Sequence, residues 1–195
     1  AATTGAAGDP GGAPPGVMFT GRRTARRTHV NNGVFGTGGN REAVIWDSHA
    51  GAFQESLSGS ISATGLTKAG TSTLALTGDS RGTVAATPLL TGTITVNQGS
   101  LVVTSPNALG VRLGANTTAA TTTPYVVDTP AIRLAGGTFD TTGAAVATAN
   151  YLSNVTVIND SAFNAATTPI LPRFGSLTFS VRTGGVPDPI VLSIT

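Results

Sequence analysis

The chain has 195 residues, of which 10% are charged and 5% aromatic, with a formal net charge of +2, 26 Gly, 11 Pro and no Cys. Missing Cys excludes disulfide frameworks and thiolate metal sites, no apolar run reaches the roughly 18 residues of a membrane-crossing helix, and the charge balance points to no nucleic-acid partner. An ordinary soluble domain is about 25% charged; here Thr, Ser and Asn supply the polarity instead. Thr, Val and Ile suit a pleated, half-buried surface, while Gly and Pro at this density break helices. An all-β chain with very little helix follows.

Residues 1–16 (AATTGAAGDPGGAPPG) are small and aperiodic, and read as a linker or an arm lying on something else. Their opening has neither Met nor a charged-then-apolar leader, so the start reads as processed or cut. Val17, Met18 and Phe19 precede the basic run Arg22-Arg23-Thr24-Ala25-Arg26-Arg27, and residues 31–40 are Gly and Asn turns. Ala43-Val44-Ile45-Trp46 then forms a short apolar strand, with Trp46 expected as a core or cap aromatic.

From residue 53 onward a rhythm sets in. Strands are predicted at 57–61, 73–77, 93–97, 100–104, 131–135, 155–158, 177–181 and 190–194. Centres at Ala75, Thr95, Arg133, Thr156 and Thr178 give intervals of 20 (95 − 75), 23 (156 − 133) and 22 (178 − 156). The longer step from Thr95 to Arg133 holds a Thr/Ala loop. A period of roughly 20 to 25 residues is that of a β-solenoid coil, whereas a sandwich turns every 8 to 12 residues or so. One strand per turn is expected to line a shared apolar core, in a single domain over residues 17–195 that belongs to a longer solenoid or an assembly. Alternation puts Leu74 and Leu76, Ile94 and Val96, Ile132 and Leu134, and Val155 and Val157 inside, with Thr73, Ala75, Thr77 and Arg133 outside.

Two stretches carry a resemblance. Leu66-Thr67-Lys68-Ala69-Gly70 with Thr73-Leu74-Ala75-Leu76-Thr77-Gly78 form one half of a motif. Thr93-Ile94-Thr95-Val96-Asn97-Gln98-Gly99-Ser100-Leu101 with Asn107-Ala108-Leu109-Gly110 form the other. Over roughly residues 53–110 the chain resembles the autotransporter-associated β-strand repeat of passenger-type β-helix proteins. A longer loop at 79–91 replaces the Asn-x-Tyr turn of that repeat, and the outer-membrane barrel of autotransporters has no counterpart in these residues. The resemblance implies a right-handed parallel β-helix belonging to a large bacterial surface or secreted protein.

Few residues invite chemistry. Asp47-Ser48-His49 are catalytic residue types, but sequence neighbours rarely converge in space. His29 and His49 lack partners at metal-ligand spacing. Asp140 and Asp160, 20 residues apart (160 − 140), would have to stack on successive turns to act as a carboxylate pair. No catalytic residue, cofactor or metal is assigned, and the chain is read as a non-enzyme. The arginine run is a solvated face, a processing site, or a contact for anionic glycan, lipopolysaccharide or a neighbouring subunit's carboxylates.

The closing strand, with Ile190, Leu192 and Ile194 alternating, has no charged gatekeeper, and such an edge recruits another strand. Arg22, Arg23, Arg26, Arg27, Ile190, Leu192 and Ile194 are therefore the candidate assembly interface, with copies of the chain as partner. The function expected is a structural bacterial solenoid, extracellular or at the cell surface, that builds a fibre, stalk or coat. The alternative is an adhesin-type module whose loops at 79–91 and 111–130 contact glycan or host.

Overall fold

Three to five residues of alternating pattern, then a corner carrying Gly, then another short strand: this unit, repeated, makes the chain circulate between two sheets. The computed structural model describes residues 2–4, 16–21, 27–30, 32–35, 41–49, 54–80, 89–104, 106–110, 112–114, 125–128, 130–142, 151, 153–164, 174–180 and 190–194. In chain order, β1 (Ala2–Thr4) is followed by a first circuit of β2 (Gly16–Gly21), β3 (Arg27–His29) and β4 (Gly33–Val34). The second circuit holds β5 (Glu42–His49), β6 (Gln54–Leu57) and β7 (Ile61–Ser62), and the third β8 (Gly65–Ala69) and β9 (Thr73–Leu76). Next come β10 (Ile94–Val96) and β11 (Ser100–Val103), a 3-10 turn at Pro106–Leu109, and the side pair β12 (Arg112–Gly114) and β13 (Tyr125–Asp128). The last three circuits are β14 (Ile132–Ala135) with β15 (Thr138–Asp140), β16 (Val155–Asn159) with β17 (Ser161–Asn164), and β18 (Leu177–Phe179) with β19 (Leu192–Ile194). There is no α-helix among the described residues.

The first sheet runs β1-β2-β5-β8-β10-β14-β16-β18 and the second β3-β6-β9-β11-β15-β17-β19. Every pairing within them is parallel except β1 with β2. Parallel neighbours need a crossover of a dozen or more residues, and here the opposite sheet's strand and its corners supply it. The fold is therefore all-β, built of stacked parallel sheets.

Register carries each position onto its equivalents. Ala43, Leu66, Ile94, Ile132 and Val155 form one inward ladder of the first sheet, all buried. Leu74, Leu101, Phe139 and Phe163 form the matching ladder of the second. Toward the later circuits the interior turns aromatic. Phe139 and Phe163 stack at 5.7 Å, Tyr151 and Phe174 stack at 5.1 Å, and Tyr151 Oη donates to the Val103 carbonyl at 3.2 Å. Burial, and then the Asp140 charge, hold the Tyr151 phenol above its ordinary range.

Four sequence expectations need correction. Each circuit contributes two strands to the main sheets, not one, and Ala75 pairs with Ser56 and Val102 in the second sheet instead of preceding Thr95 in one series. Thr95, Arg133, Thr156 and Thr178 do fall in one register column. The 57–61 segment is a corner between β6 and β7, because the amides of Thr77 and Gly78 both donate to the Leu57 carbonyl at the end of β6. Ala75 is buried although outward in parity, since so small a side chain lies below its neighbours Ser56 and Val102. Trp46 lies on the outer face, because Ala43, Ile45 and Asp47 take the inward positions of β5. The inward positions expected for Leu74, Leu76, Ile94, Val96, Ile132, Leu134, Val155 and Val157 hold, and Arg133 is exposed. The 38-residue step from Ile94 to Ile132 (132 − 94) accommodates the antiparallel β12–β13 pair, which joins neither main sheet.

Phe139→Ala, which empties the middle of the aromatic interior, is expected to cost about 3–5 kcal/mol. Arg133→Thr, which continues the outward Thr column, is expected to change stability by less than about 0.5 kcal/mol. Urea denaturation of the two variants checks both, and equal effects would contradict the assignment of faces.

Candidate functional site

Alternation that places Leu66 inward also places Lys68 inward, two residues on. Its ladder is Ile45, Lys68, Val96, Leu134 and Val157, so an ammonium group occupies an aliphatic column with no solvent exposure. Charge cannot be carried there without oxygen partners. Lys68 Nζ donates to the carbonyls of Ala69 at 2.9 Å and Gly70 at 2.7 Å, in its own corner, and to that of Gln98 at 3.2 Å, one circuit further on. The side chain thereby ties two stacked corners together.

Backbone geometry makes that convergence of carbonyls possible. Gly70 has φ of 80° and Gly99 φ of 68°, in the left-handed region that favours glycine. A methyl group on Gly70 would come within 2.2 Å of the Asp47 carbonyl oxygen, so the corners stack at backbone contact. Asp47 is itself wholly buried, on the inward side of β5 where that strand meets the same corner. Burial pulls the Lys68 ammonium down to about 8, against the opposing pull of the Asp47 carboxylate.

A second polar pair lies in the other sheet. Glu55, buried, heads the ladder that continues as Leu74, Leu101 and Phe139. The half-buried His29 donates from Nε2 to Glu55 Oε2 at 2.9 Å, joining the first circuit to the second. Asp47, Glu55 and Lys68 thus make the interior polar over the early circuits, where the later ones are aromatic.

The candidate residues from the sequence fare unequally. Arg22, Arg23 and Arg26 lie outside the described residues; Arg27 stands in register with Glu55. Ile190 and Leu192 are half-buried against the core, and Ile194 is exposed in the last circuit. Asp140 and Asp160 do not stack. Asp140 is in register with Asn164 and accepts from the amide and hydroxyl of Thr142, while Asp160 accepts from the Val191 amide at 3.1 Å. Asp140 thus makes a local turn, the ordinary work of Asp in such places, and Asp160 ties its corner to the next circuit. Asp47 and Ser48 point to opposite faces of β5 and cannot share one reacting atom. No group of three or more His, Cys, Asp or Glu that could hold a metal ion occurs among the described residues, and none of their helices is long and apolar enough to cross a membrane. Of the loops at 79–91 and 111–130, residues 81–88, 111, 115–124 and 129 lie outside the described residues.

The inward placement of Lys68, Asp47 and Glu55 is not part of the sequence reading, which weighs Asp47 only beside Ser48 and His49. Parity was the available signal: Lys68 follows Leu66 by two residues and Asp47 follows Ile45 by two, and alternation forces both inward. Comparison with protein-family models, curated proteins and solved structures finds no match for this chain.

The depressed Lys68 pKa has a definite sign in stability. Between about pH 8 and 10.5 the unfolded lysine holds a proton that the folded one has released, so stability rises with pH across that window. Lys68→Met is expected to abolish that rise and, by leaving the carbonyls of Ala69, Gly70 and Gln98 without their ammonium donor, to cost about 3–5 kcal/mol at neutral pH. Chemical denaturation of both proteins through the window checks this. Parallel pH profiles would contradict it.

Proposed function

We propose that this chain is a structural β-solenoid, a right-handed parallel β-helix of the bacterial surface or secreted kind, that self-assembles through stacking of circuits into a fibre, stalk or coat. The observation that carries this reading is the state of the final circuit. Leu177 and Phe179 continue the two inward ladders of the first sheet, and Ile194 continues one ladder of the second. Their equivalents Val155, Val157 and Phe163 are buried, yet these three are 50%, 47% and 69% exposed. β18 and β19 are the end strands of their sheets, with one backbone edge each open among the described strands. Parallel edges lined by apolar ladders favour the addition of another strand.

Right-handed winding is supported by the general preference of parallel strand–crossover–strand connections, about 98% of which have that hand. Placement at a bacterial surface is supported by the repeat-like motif over roughly residues 53–110 and by hydroxyl-bearing side chains in place of charge on the outer columns. The adhesin-type alternative draws on one feature, the β12–β13 pair that leaves both sheets.

Light scattering and negative-stain imaging of the purified chain test the stacking reading. Concentration-dependent growth into end-joined particles is expected, and Phe179→Asp combined with Ile194→Asp is expected to leave a monomer with an unchanged β-sheet circular dichroism spectrum. A wild-type chain that stays monomeric at high concentration contradicts it.

A further inference from the structure

We infer that the outward row of β5 is a carbohydrate-binding platform on which the indole of Trp46 stacks against a neutral pyranose ring. β5 spans eight residues, the longest strand described, and presents Glu42, Val44, Trp46 and Ser48 on its outer face. Successive outward residues are about 6.6 Å apart, so the row measures about 20 Å from Glu42 to Ser48. Trp46 is 46% exposed, and Met18, its register partner on β2, is 50% exposed. Elsewhere in the first sheet the column that contains Val44 is continued by Thr67, Thr95, Arg133, Thr156 and Thr178. Trp46 stands one outward position further on, in register with Met18 and Ala69, so a half-exposed indole beside a thioether lies next to that hydroxyl-bearing column, and exposing it contributes nothing to folding.

The size and surroundings of the patch select the ligand. Two half-exposed side chains present about 200 Å² of surface, against about 800 Å² per partner in a stable protein interface. A pyranose ring has a C–H face of suitable size and a rim of hydroxyls that need partners. The row supplies them on both sides of the indole. Ser48 offers a hydroxyl two residues one way, beside the stacked ring, and Glu42, about 13 Å the other way, offers a carboxylate to a neighbouring ring of the same oligosaccharide. Thr67 Oγ1 donates to Glu42 Oε1 and holds that carboxylate in place. A carboxylate acceptor favours the hydroxyls of a neutral sugar and repels a uronic acid. β5 lies in the second circuit, so this inference is independent of stacking at the last one.

Trp46 is the single Trp of the chain, which makes its emission a reporter of this site alone. The intact chain is titrated with cellohexaose, maltohexaose and chitohexaose, with hexagalacturonate as the anionic comparison. A saturable emission change at micromolar to millimolar concentration is expected with at least one neutral hexasaccharide, and none with hexagalacturonate. By calorimetry, Trp46→Ala is expected to lose tenfold or more in affinity and Glu42→Gln about tenfold, while Phe179→Asp binds as the wild type does. Because Trp46 points outward, its variant is expected to keep the wild-type circular dichroism spectrum. Four results overturn the inference: no saturable change with any neutral probe, preference for hexagalacturonate, undiminished binding by Trp46→Ala, or an emission shift that follows protein concentration without sugar. The last would mean that a second copy covers the patch.

Discussion

Parallel pairing in register between consecutive circuits governs everything else in this molecule. A strand of three to five residues satisfies its backbone groups only through the strand one circuit before and the strand one circuit after. Each residue consequently sits beside its own equivalents at about 4.8 Å. Favourable positions are multiplied by this repetition, as in the columns from Ala43 to Val155 and from Leu74 to Phe163. Unfavourable ones are multiplied too, because a charge turned inward has a neighbouring circuit above and below it and no water.

Lys68 shows how such a charge is accommodated. Its column is otherwise apolar, so the ammonium reaches along the corner to carbonyls that a left-handed Gly70 and its stacked neighbour Gly99 bring together. Three oxygen partners and the Asp47 charge do not wholly offset desolvation, and the proton is held less tightly than in water. The return is positional. An apolar side chain would tolerate a slipped register, whereas Lys68 finds its Gln98 partner only when the third and fourth circuits are correctly aligned. His29 and Glu55 join the first two circuits in the same way.

Much of this architecture was legible in the residues, for identifiable reasons. Thr95, Arg133, Thr156 and Thr178 could be aligned because each is flanked by two apolar residues, and the alignment coincides with the observed column. Ala75 could not be assigned to its sheet, since β9 and β10 share one alternation and the corner at Gly70 resembles any other glycine turn. In Ala43-Val44-Ile45-Trp46 all four residues are apolar, so only pairing with β8 decides that Ala43 and Ile45 go in and Trp46 goes out. The inward charges were missed because composition associates Lys, Asp and Glu with solvent, although their parity pointed the other way. The outward platform on β5 was hidden for the same reason in reverse: an aromatic was credited to the core.

The two ends of the stack differ in chemistry. Early circuits enclose His29, Asp47, Glu55 and Lys68, and β1 lies antiparallel on the outer edge of β2. Late circuits enclose aromatics and finish in exposed apolar ladders. That asymmetry depends on register, and register can be measured directly in a chain with no cysteine of its own. In the Thr95→Cys/Arg133→Cys variant the two residues face each other on adjacent parallel strands, within the Cα separation of about 4.4–6.8 Å that a disulfide spans. In Thr95→Cys/Thr156→Cys they stand two strands apart, at about 9.6 Å. Mild oxidation is expected to cross-link the first pair within each monomer and to leave the second as free thiols. Efficient cross-linking of the second pair, with the first remaining reduced, would contradict the stacked parallel sheets described here.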